Sequence, residues 1–251
     1  MNKPETDSEI DDSTNYLDVI YNEKRRPASN YPVQLAEHLT QVFLDGEKLR
    51  VLDLGCGRGD MLRALAQCGH EVVGTDLSER VVELCAPFEA HVCDLTNTAV
   101  PFPDNSMDVV FSKSVIEHLH EPMPMLNEAM RVLKPGGRLI LMTPSWRHHA
   151  FGPFYLDYTH VTPYTAPSLR DVLAMSGFSD IFVQHFRQLP FVWKMPILTP
   201  IAWLFSSLPL PYTPLDEMSW KWSFGINNLL RFSKEMMLLS VSRKLPTNNT
   251  D

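Results

Sequence analysis

The segment Val51-Leu52-Asp53-Leu54-Gly55-Cys56-Gly57-Arg58-Gly59-Asp60 constrains this chain more than any other. An apolar run ends in alternating glycines and gives way to a mixed, helix-forming stretch. That order reads as a buried strand, a tight loop and a helix start. Glycine allows turns that a Cβ would block and lets a loop lie close to a ligand. The alternation then continues. Residues 50–54, 71–75, 91–93, 107–112 and 138–143 read as short apolar strands, and 60–68, 78–85 and 122–133 as the helices between them. Lys134-Pro135-Gly136-Gly137 has the residues of a type II turn. A helix is expected from Pro32 to Phe43, with proline in its first turn. A further helix is expected at 167–176, and strands at 180–186 and 235–241. Strands alternating with helices predict an α/β fold, doubly wound around a mainly parallel sheet of seven strands.

Composition bounds what such a fold does. The 251 residues are 44% hydrophobic, enough for the core of one domain. Residues 1–15 are polar and acidic and are expected to be a disordered tail. The domain is then 16–251, with an apolar, proline-rich insertion at about 189–234. A net charge of −8 weighs against nucleic-acid binding, which needs clustered Lys and Arg. Cys56, Cys68, Cys85 and Cys93 form no C-x-x-C pair and no zinc spacing. Residues 1–12 lack the basic and apolar regions of a signal peptide. Reduced thiols in a cytoplasmic protein are the expectation.

Three acids follow three successive strands. Asp53 lies two residues before the first glycine, where a pyrophosphate-binding loop carries an apolar residue; a carboxylate there suits an ammonium group. Asp76 ends the second strand, where an acid accepts from ribose hydroxyls. Asp94 follows the third, within reach of an adenine amino group. Each acid alone also reads as a turn residue or helix cap. The glycines are spaced G-x-G-x-G rather than G-x-G-x-x-G, which disfavours a nicotinamide oxidoreductase.

In order, VLDLGCGRGD, VVGTDLS, Cys93-Asp94-Leu95, DVVFSKSVIEHL and RVLKPGGRLIL resemble the motifs of class I S-adenosylmethionine-dependent methyltransferases. The resemblance runs from about residue 49 to 143 and resumes at LLSVSRK. It implies S-adenosylmethionine as cofactor and an antiparallel last strand. It implies that Gly55, Cys56 and Gly57 pass under the methionine moiety. Asp53 would approach its amino group, Asp76 the ribose, and Asp94 with Leu95 the adenine. Leu77 would pack on the adenine ring, and Ser112 and Lys113 would face the methionine tail.

The acceptor side should come from residues after strands four and five. His118 reads as a base or as a packed helix-start residue. The segment around it is similar to the O-methyltransferases of ubiquinone synthesis, whose E-x-x-E-H pattern is associated with a divalent metal. Ser114 stands where the first Glu would be, so no metal is expected. Asp157-Tyr158-Thr159-His160-Val161 resembles a stretch of bacterial methyltransferases linked to surface polysaccharide and lipid-linked sugars. His160 is the leading base candidate, assisted by Asp157 or Tyr155; its alternative is a turn cap. His148 and His149 are expected to be exposed loop residues.

Residues 195–215 carry no charge but five prolines, against one straight spanning helix. Two readings stand: a lid or in-plane membrane contact flanked by Lys194, Lys221, Arg231 and Lys234, or a buried cap or homodimer interface. The expected function is methyl transfer to a small-molecule or lipid-linked sugar acceptor, at oxygen. The alternatives are a quinone or polyprenyl-phenol acceptor, or a non-catalytic binding protein of the same fold.

Overall fold

The computed structural model describes residues 29–45, 47–150, 153–212 and 224–246. The tail read at 1–15 lies outside them. Helix α1 (Tyr31–Phe43) precedes β1 (Arg50–Leu54), α2 (Asp60–Gln67), β2 (Glu71–Asp76), α3 (Val81–Cys85), β3 (Glu89–Val92) and β4 (Met107–Lys113). Then come α4 (Met123–Val132), β5 (Leu133–Pro144), the single turn α5 (Trp146–His149), α6 (Ala166–Met175) and β6 (Ser179–Arg187). Helices α7 (Pro190–Lys194), α8 (Thr199–Ser207) and α9 (Phe224–Lys234) lead to β7 (Met236–Arg243). The seven strands lie in the order β3-β2-β1-β4-β5-β7-β6. All pairings are parallel except those of β7, which runs antiparallel to both β5 and β6.

The period of two along each strand divides the core. Leu52, Val110, Leu139, Leu141 and Leu238 pack on one side with Leu126 and Ala129 of α4 and Leu169 and Leu173 of α6. Val51, Val109, Phe111, Ile140, Met142 and Leu239 pack on the other with Leu35 and Leu39 of α1 and Leu62 and Leu65 of α2. Neighbouring residues thus feed opposite layers, as pleating requires. Each such fully buried Leu or Phe contributes roughly 1.5–3 kcal/mol.

Strand β5 starts earlier than expected. The proline-glycine stretch is absorbed as an irregularity, where the register with β4 jumps from Met107↔Leu133 to Val109↔Arg138. Gly136 takes the positive φ (81°) that the turn requires. Its N–H donates to Lys244 O, and Lys244 N donates to Gly137 O, so the ladder to the chain's last strand continues past it.

The apolar stretch after β6 breaks into short helices with a proline in the first turn of α7 and α8. No described helix is long and apolar enough to cross a membrane.

Candidate active site

The parallel strands all point their C-terminal ends at one edge of the sheet, where an open α/β fold forms its crevice. The glycine loop crosses this edge. Gly55, Gly57 and Gly59 have φ of 79°, 53° and 75°. A Cβ on Gly55 would lie 2.2 Å from Val115 Cγ2, so glycine is required where the loop meets the segment after β4. The loop is pinned to β2: Gly55 N and Cys56 N both donate to Thr75 O, at 2.8 and 2.9 Å. Gly74 is needed too, since a Cβ there would meet Cys56 Sγ at 2.7 Å. Cys56 is buried with its Sγ 3.7 Å from Cys85 Sγ, and that hydrogen bond and burial push its thiol up. Cys56 is therefore an inert packing residue.

Asp53 and Asp76 are both buried at this edge. Burial, with the like charge of Asp76, pushes Asp53 up to about 8, and Lys113 opposes the shift. A cationic ligand beside Asp53 would favour its ionised form. Asp76 already holds the loop: its Oδ2 accepts from Gly57 N at 2.8 Å and its Oδ1 from Ser78 N at 2.9 Å. Leu77 is 62% exposed, an apolar surface at the crevice rim.

Other expected donor-site residues are more committed to the fold. Asp94 accepts from Thr96 N, Thr96 Oγ1 and Asn97 Nδ2, the pattern of a turn residue, and these bonds hold its carboxyl below the usual range. Leu95 is buried in the core. Ser112 donates its hydroxyl proton to Leu54 O at 2.9 Å, cross-linking β4 to β1. Lys113 ends β4 between the two halves of the site: its charge acts on both Asp53 and Glu117.

A second constellation follows β4. Ile116–His118 form one 3-10 turn. Val161 N and Thr162 N both donate to Glu117 O, docking the 157–162 loop on this turn. Three side chains are thereby gathered, with ligand-type atoms of Glu117, His118 and His160 within 4.8 Å of one another. The His118 and His160 rings meet edge to face, 4.7 Å apart.

The hydrogen bonds fix both tautomers. His160 Nδ1 lies 2.7 Å from Phe154 O, an acceptor only, so Nδ1 carries a proton and Nε2 the lone pair. Thr159 Oγ1 donates to Asp157 Oδ1 and so accepts from His118 Nδ1, 2.8 Å away. The lone pair of His118 is again on Nε2. Asp157 therefore supports His118 through Thr159, while the Phe154 carbonyl orients the His160 ring and the charges of His160 and Asp157 act on each other. Tyr155 is 61% exposed and edges Phe154 and Trp146 rather than His160. Burial pushes Asp157 up, but the Thr159 bonds and the charges of His160 and His118 outweigh it and hold it low. Burial lowers His118, with His160 adding to the effect.

Glu117 is fully buried. Burial pushes it up to about 7, although Thr143 Oγ1 donates to its Oε2 at 2.9 Å. Its Oε1 and the nearby Tyr164 hydroxyl are buried without a partner. Burial and the Glu117 charge push Tyr164 up to about 12. Glu117 and Tyr164 carried no assigned role in the sequence; an acid beside a candidate base histidine was the available signal for the first.

Two loop histidines expected to be exposed are not. His149 is 7% exposed, with Nδ1 3.0 Å from Ser145 O. His148 has Nδ1 3.1 Å from Ser145 Oγ and packs on His185, ring centroids 4.7 Å apart. The helical turn of α5 folds both back onto the sheet edge.

This fold is shared with solved S-adenosylmethionine-dependent methyltransferases. Residues 52–141 match the family described as "Methyltransferase domain". A demethylmenaquinone methyltransferase of Tropheryma whipplei is 34% identical over 128 residues, covering 49% of this chain and 52% of that protein. A ubiquinone biosynthesis O-methyltransferase of Cereibacter sphaeroides is 37% identical over 103 residues, covering 39% and 42%. The chain thus spans about half the length of the curated relatives it matches. A SAM-dependent methyltransferase from Archaeoglobus fulgidus shares the fold across 90% of this chain and 99% of its own, with a TM-score of 0.61 at 21% identity. A putative methyltransferase of Haloferax volcanii, solved with its Trm112 activator, does so across 91% and 97%, with a TM-score of 0.65 at 19% identity.

Proposed function

We propose that this protein transfers a methyl group from S-adenosylmethionine to an oxygen of a small-molecule or lipid-linked sugar acceptor. The observation that carries the reading is the pairing, on one sheet edge, of buried acids facing the glycine loop with two histidines whose Nε2 atoms hold the lone pair. The bound sulfonium supplies an already activated methyl carbon. The acceptor oxygen forms a bond to that carbon as the carbon–sulfur bond breaks, leaving S-adenosylhomocysteine. The hydroxyl proton passes to Nε2 of His160 or His118.

Asp53 is assigned to the donor's ammonium group and Asp76 to its ribose. Gly55, Cys56 and Gly57 provide the close backbone, Leu77 an adenine-facing surface, and Asp94 and Leu95 the rim beside it. Lys113 tunes both halves, and Ser112 stiffens the strand end. Alignment of acceptor and donor supplies most of the rate, for which roughly 7–11 kcal/mol is available. The basic histidine adds on the order of 10²–10⁴-fold when the acceptor hydroxyl is a weak acid.

A quinone-type phenol is the second reading of the acceptor, favoured by the names of the two curated relatives. The donor set Glu117, His118 and His160 also suits a divalent ion, with the orphaned Glu117 Oε1 as a ligand. His160 would then stand in for the acid replaced by Ser114, and the ion would polarise the acceptor oxygen.

We also propose that residues 16–251 act as one methyltransferase domain at the cytoplasmic face of a membrane. Met195, Ile197, Ile201, Trp203 and Leu204 are exposed on the insertion and make an apolar face suited to a lipid surface. A second copy of the chain is the competing occupant. The flanking charges contribute less than expected. Arg231 pairs with Glu235 at 2.7 Å, and Lys234 Nζ donates to Leu208 O and Leu210 O, tying α9 to the end of α8. Lys194 remains exposed, and Lys221 lies outside the described residues.

The test is transfer of labelled methyl from S-adenosylmethionine into a cell extract, followed by partition between water and organic solvent. Label in the organic phase is expected. Label in water would replace the lipid-linked acceptor with a soluble one, and donor binding without any transfer would favour the non-catalytic alternative.

A further inference from the structure

The sheet edge continues beyond the two histidines. At the end of β6, a cavity of about 180 Å³ is lined by His38, His185, Phe186, Arg187 and Trp193, among others. Phe186 and Trp193 stack at 4.8 Å, and His38 stacks on Trp193 at 5.1 Å, giving the cavity an aromatic wall. The charge on the polar side comes from Arg147 and Arg187. His148 of α5 packs on His185, and the charges of Arg147 and Arg187 act on both rings. Among the described residues, no carboxylate is among the main charges that act on His148, His185 or Arg187. Burial and these like charges push His148 down to about 4.

Two polar nitrogens here lack any partner. Arg187 Nε and His185 Nδ1 are buried with no hydrogen-bond partner. A buried guanidinium edge without an acceptor carries an uncompensated desolvation cost. Several other arginines pair with carboxylates: Arg131 with Glu128 and Asp104, Arg138 with Asp45, and Arg231 through its Nε with Glu235. Arg187 ends β6, on the same sheet edge as the two candidate bases. Trp146 of α5 meets Phe154, and Phe154 meets His160. On its far side the cavity touches α7 through Val192 and Trp193, where the exposed apolar insertion begins.

We infer that Arg147, His148, His185 and Arg187 form a subsite for a phosphate-type anion carried by the methyl acceptor. The inference rests on the methyltransferase reading for the word acceptor, but the anion site stands on its own geometry. A phosphate has the acceptor that Arg187 Nε lacks, and guanidinium–phosphate pairing is strong and directional. With the base pair on one side and the apolar insertion on the other, the anion would join the methylated group to a hydrocarbon chain. A free phosphorylated metabolite presents the same anion without the chain.

The experiment is titration of inorganic pyrophosphate into the full chain and into Arg187→Gln and His185→Gln, with S-adenosylhomocysteine titrated into the same samples. Pyrophosphate should bind the wild type, and Arg187→Gln should weaken it roughly tenfold or more. His185→Gln should weaken it less, and S-adenosylhomocysteine affinity should not change. Unchanged S-adenosylhomocysteine binding also certifies that each variant is folded. Absence of pyrophosphate binding, or equal affinity in all three proteins, overturns the subsite. Loss of S-adenosylhomocysteine binding by the wild type would instead overturn the donor reading. Phosphatidylcholine vesicles with and without a polyprenyl phosphate separate the sources. Arg187-dependent binding only to the doped vesicles identifies a lipid headgroup, whereas a response to soluble pyrophosphate with none to the vesicles identifies a free phosphate compound.

Discussion

Along one edge of this sheet, the ends of β1 and β2 present buried carboxylates, whereas the segments after β4, β5 and β6 present histidines and arginines. The first region is acidic and tightly bound to its own backbone: Asp76 holds the glycine loop through Gly57 N. The second is basic, and several of its polar atoms have nothing to bond, among them Glu117 Oε1, Tyr164 OH, His185 Nδ1 and Arg187 Nε. The contrast matches the charges of the proposed ligands. A donor with sulfonium and ammonium groups is met by acids, and an acceptor that sheds a proton, and bears an anion, is met by bases. Unpartnered buried atoms mark where a ligand can complete the hydrogen bonding, and the acidic side holds one as well, Thr75 Oγ1.

The contrast breaks most visibly if the bases do not act. His160→Ala should lower kcat on the order of 10²–10⁴-fold while leaving S-adenosylhomocysteine affinity unchanged. A comparable loss of donor affinity would place His160 in the first region instead. Thr159→Val removes the link between Asp157 and His118 and should cost about tenfold in kcat with KM little changed, since it removes one charge-assisted contact to a proton carrier. If Thr159→Val matches His160→Ala, the Asp157–Thr159–His118 path is the one that carries the proton.

Asp53 sharpens the acidic side. Its folded pKa of about 8 lies above the ordinary value, so the folded state binds more protons than the unfolded one over the interval between. The ligand-free protein should therefore lose stability as pH rises from about 4 to about 8. Asp53→Asn should flatten that loss, keeping the melting temperature several degrees higher near pH 8. Glu117, pushed up to about 7, contributes in the same direction, so a residual slope should remain. A melting profile identical to wild type would show that Asp53 is ionised without a ligand. The smallest effect belongs to the insertion. Lys194→Gln should weaken binding to anionic vesicles by about fivefold, the contribution of one basic residue at a membrane surface. No vesicle binding by either protein would favour the second-copy reading of the apolar face.

The two regions also differ in how far the sequence reveals them. The glycine loop and the acids at strand ends are local patterns, each set by a few consecutive residues. The strand alternation that orders them is set by local hydrophobic runs. Their architecture is legible for that reason. Asp94 and Ser112 are less so, because short-range hydrogen bonds to Thr96 and Leu54 engage them in the fold. The basic region is assembled from distant pieces. His148 and His185 meet only because β5 and β6 flank β7 in the sheet and α5 turns back over their ends. His118 and Thr159 meet through loop docking on Glu117 O. No spacing in the chain announces such contacts, and Lys234, apparently a surface charge in sequence, caps the backbone of the insertion.

The most direct test of the central claim is calorimetric titration of S-adenosylmethionine into the wild type and Asp76→Ala. The account predicts that the wild type binds, and that Asp76→Ala binds about ten- to a hundredfold more weakly with its circular dichroism preserved. Equal affinity in the two proteins, or no binding by the wild type, would contradict the assignment of the acidic edge to the methyl donor.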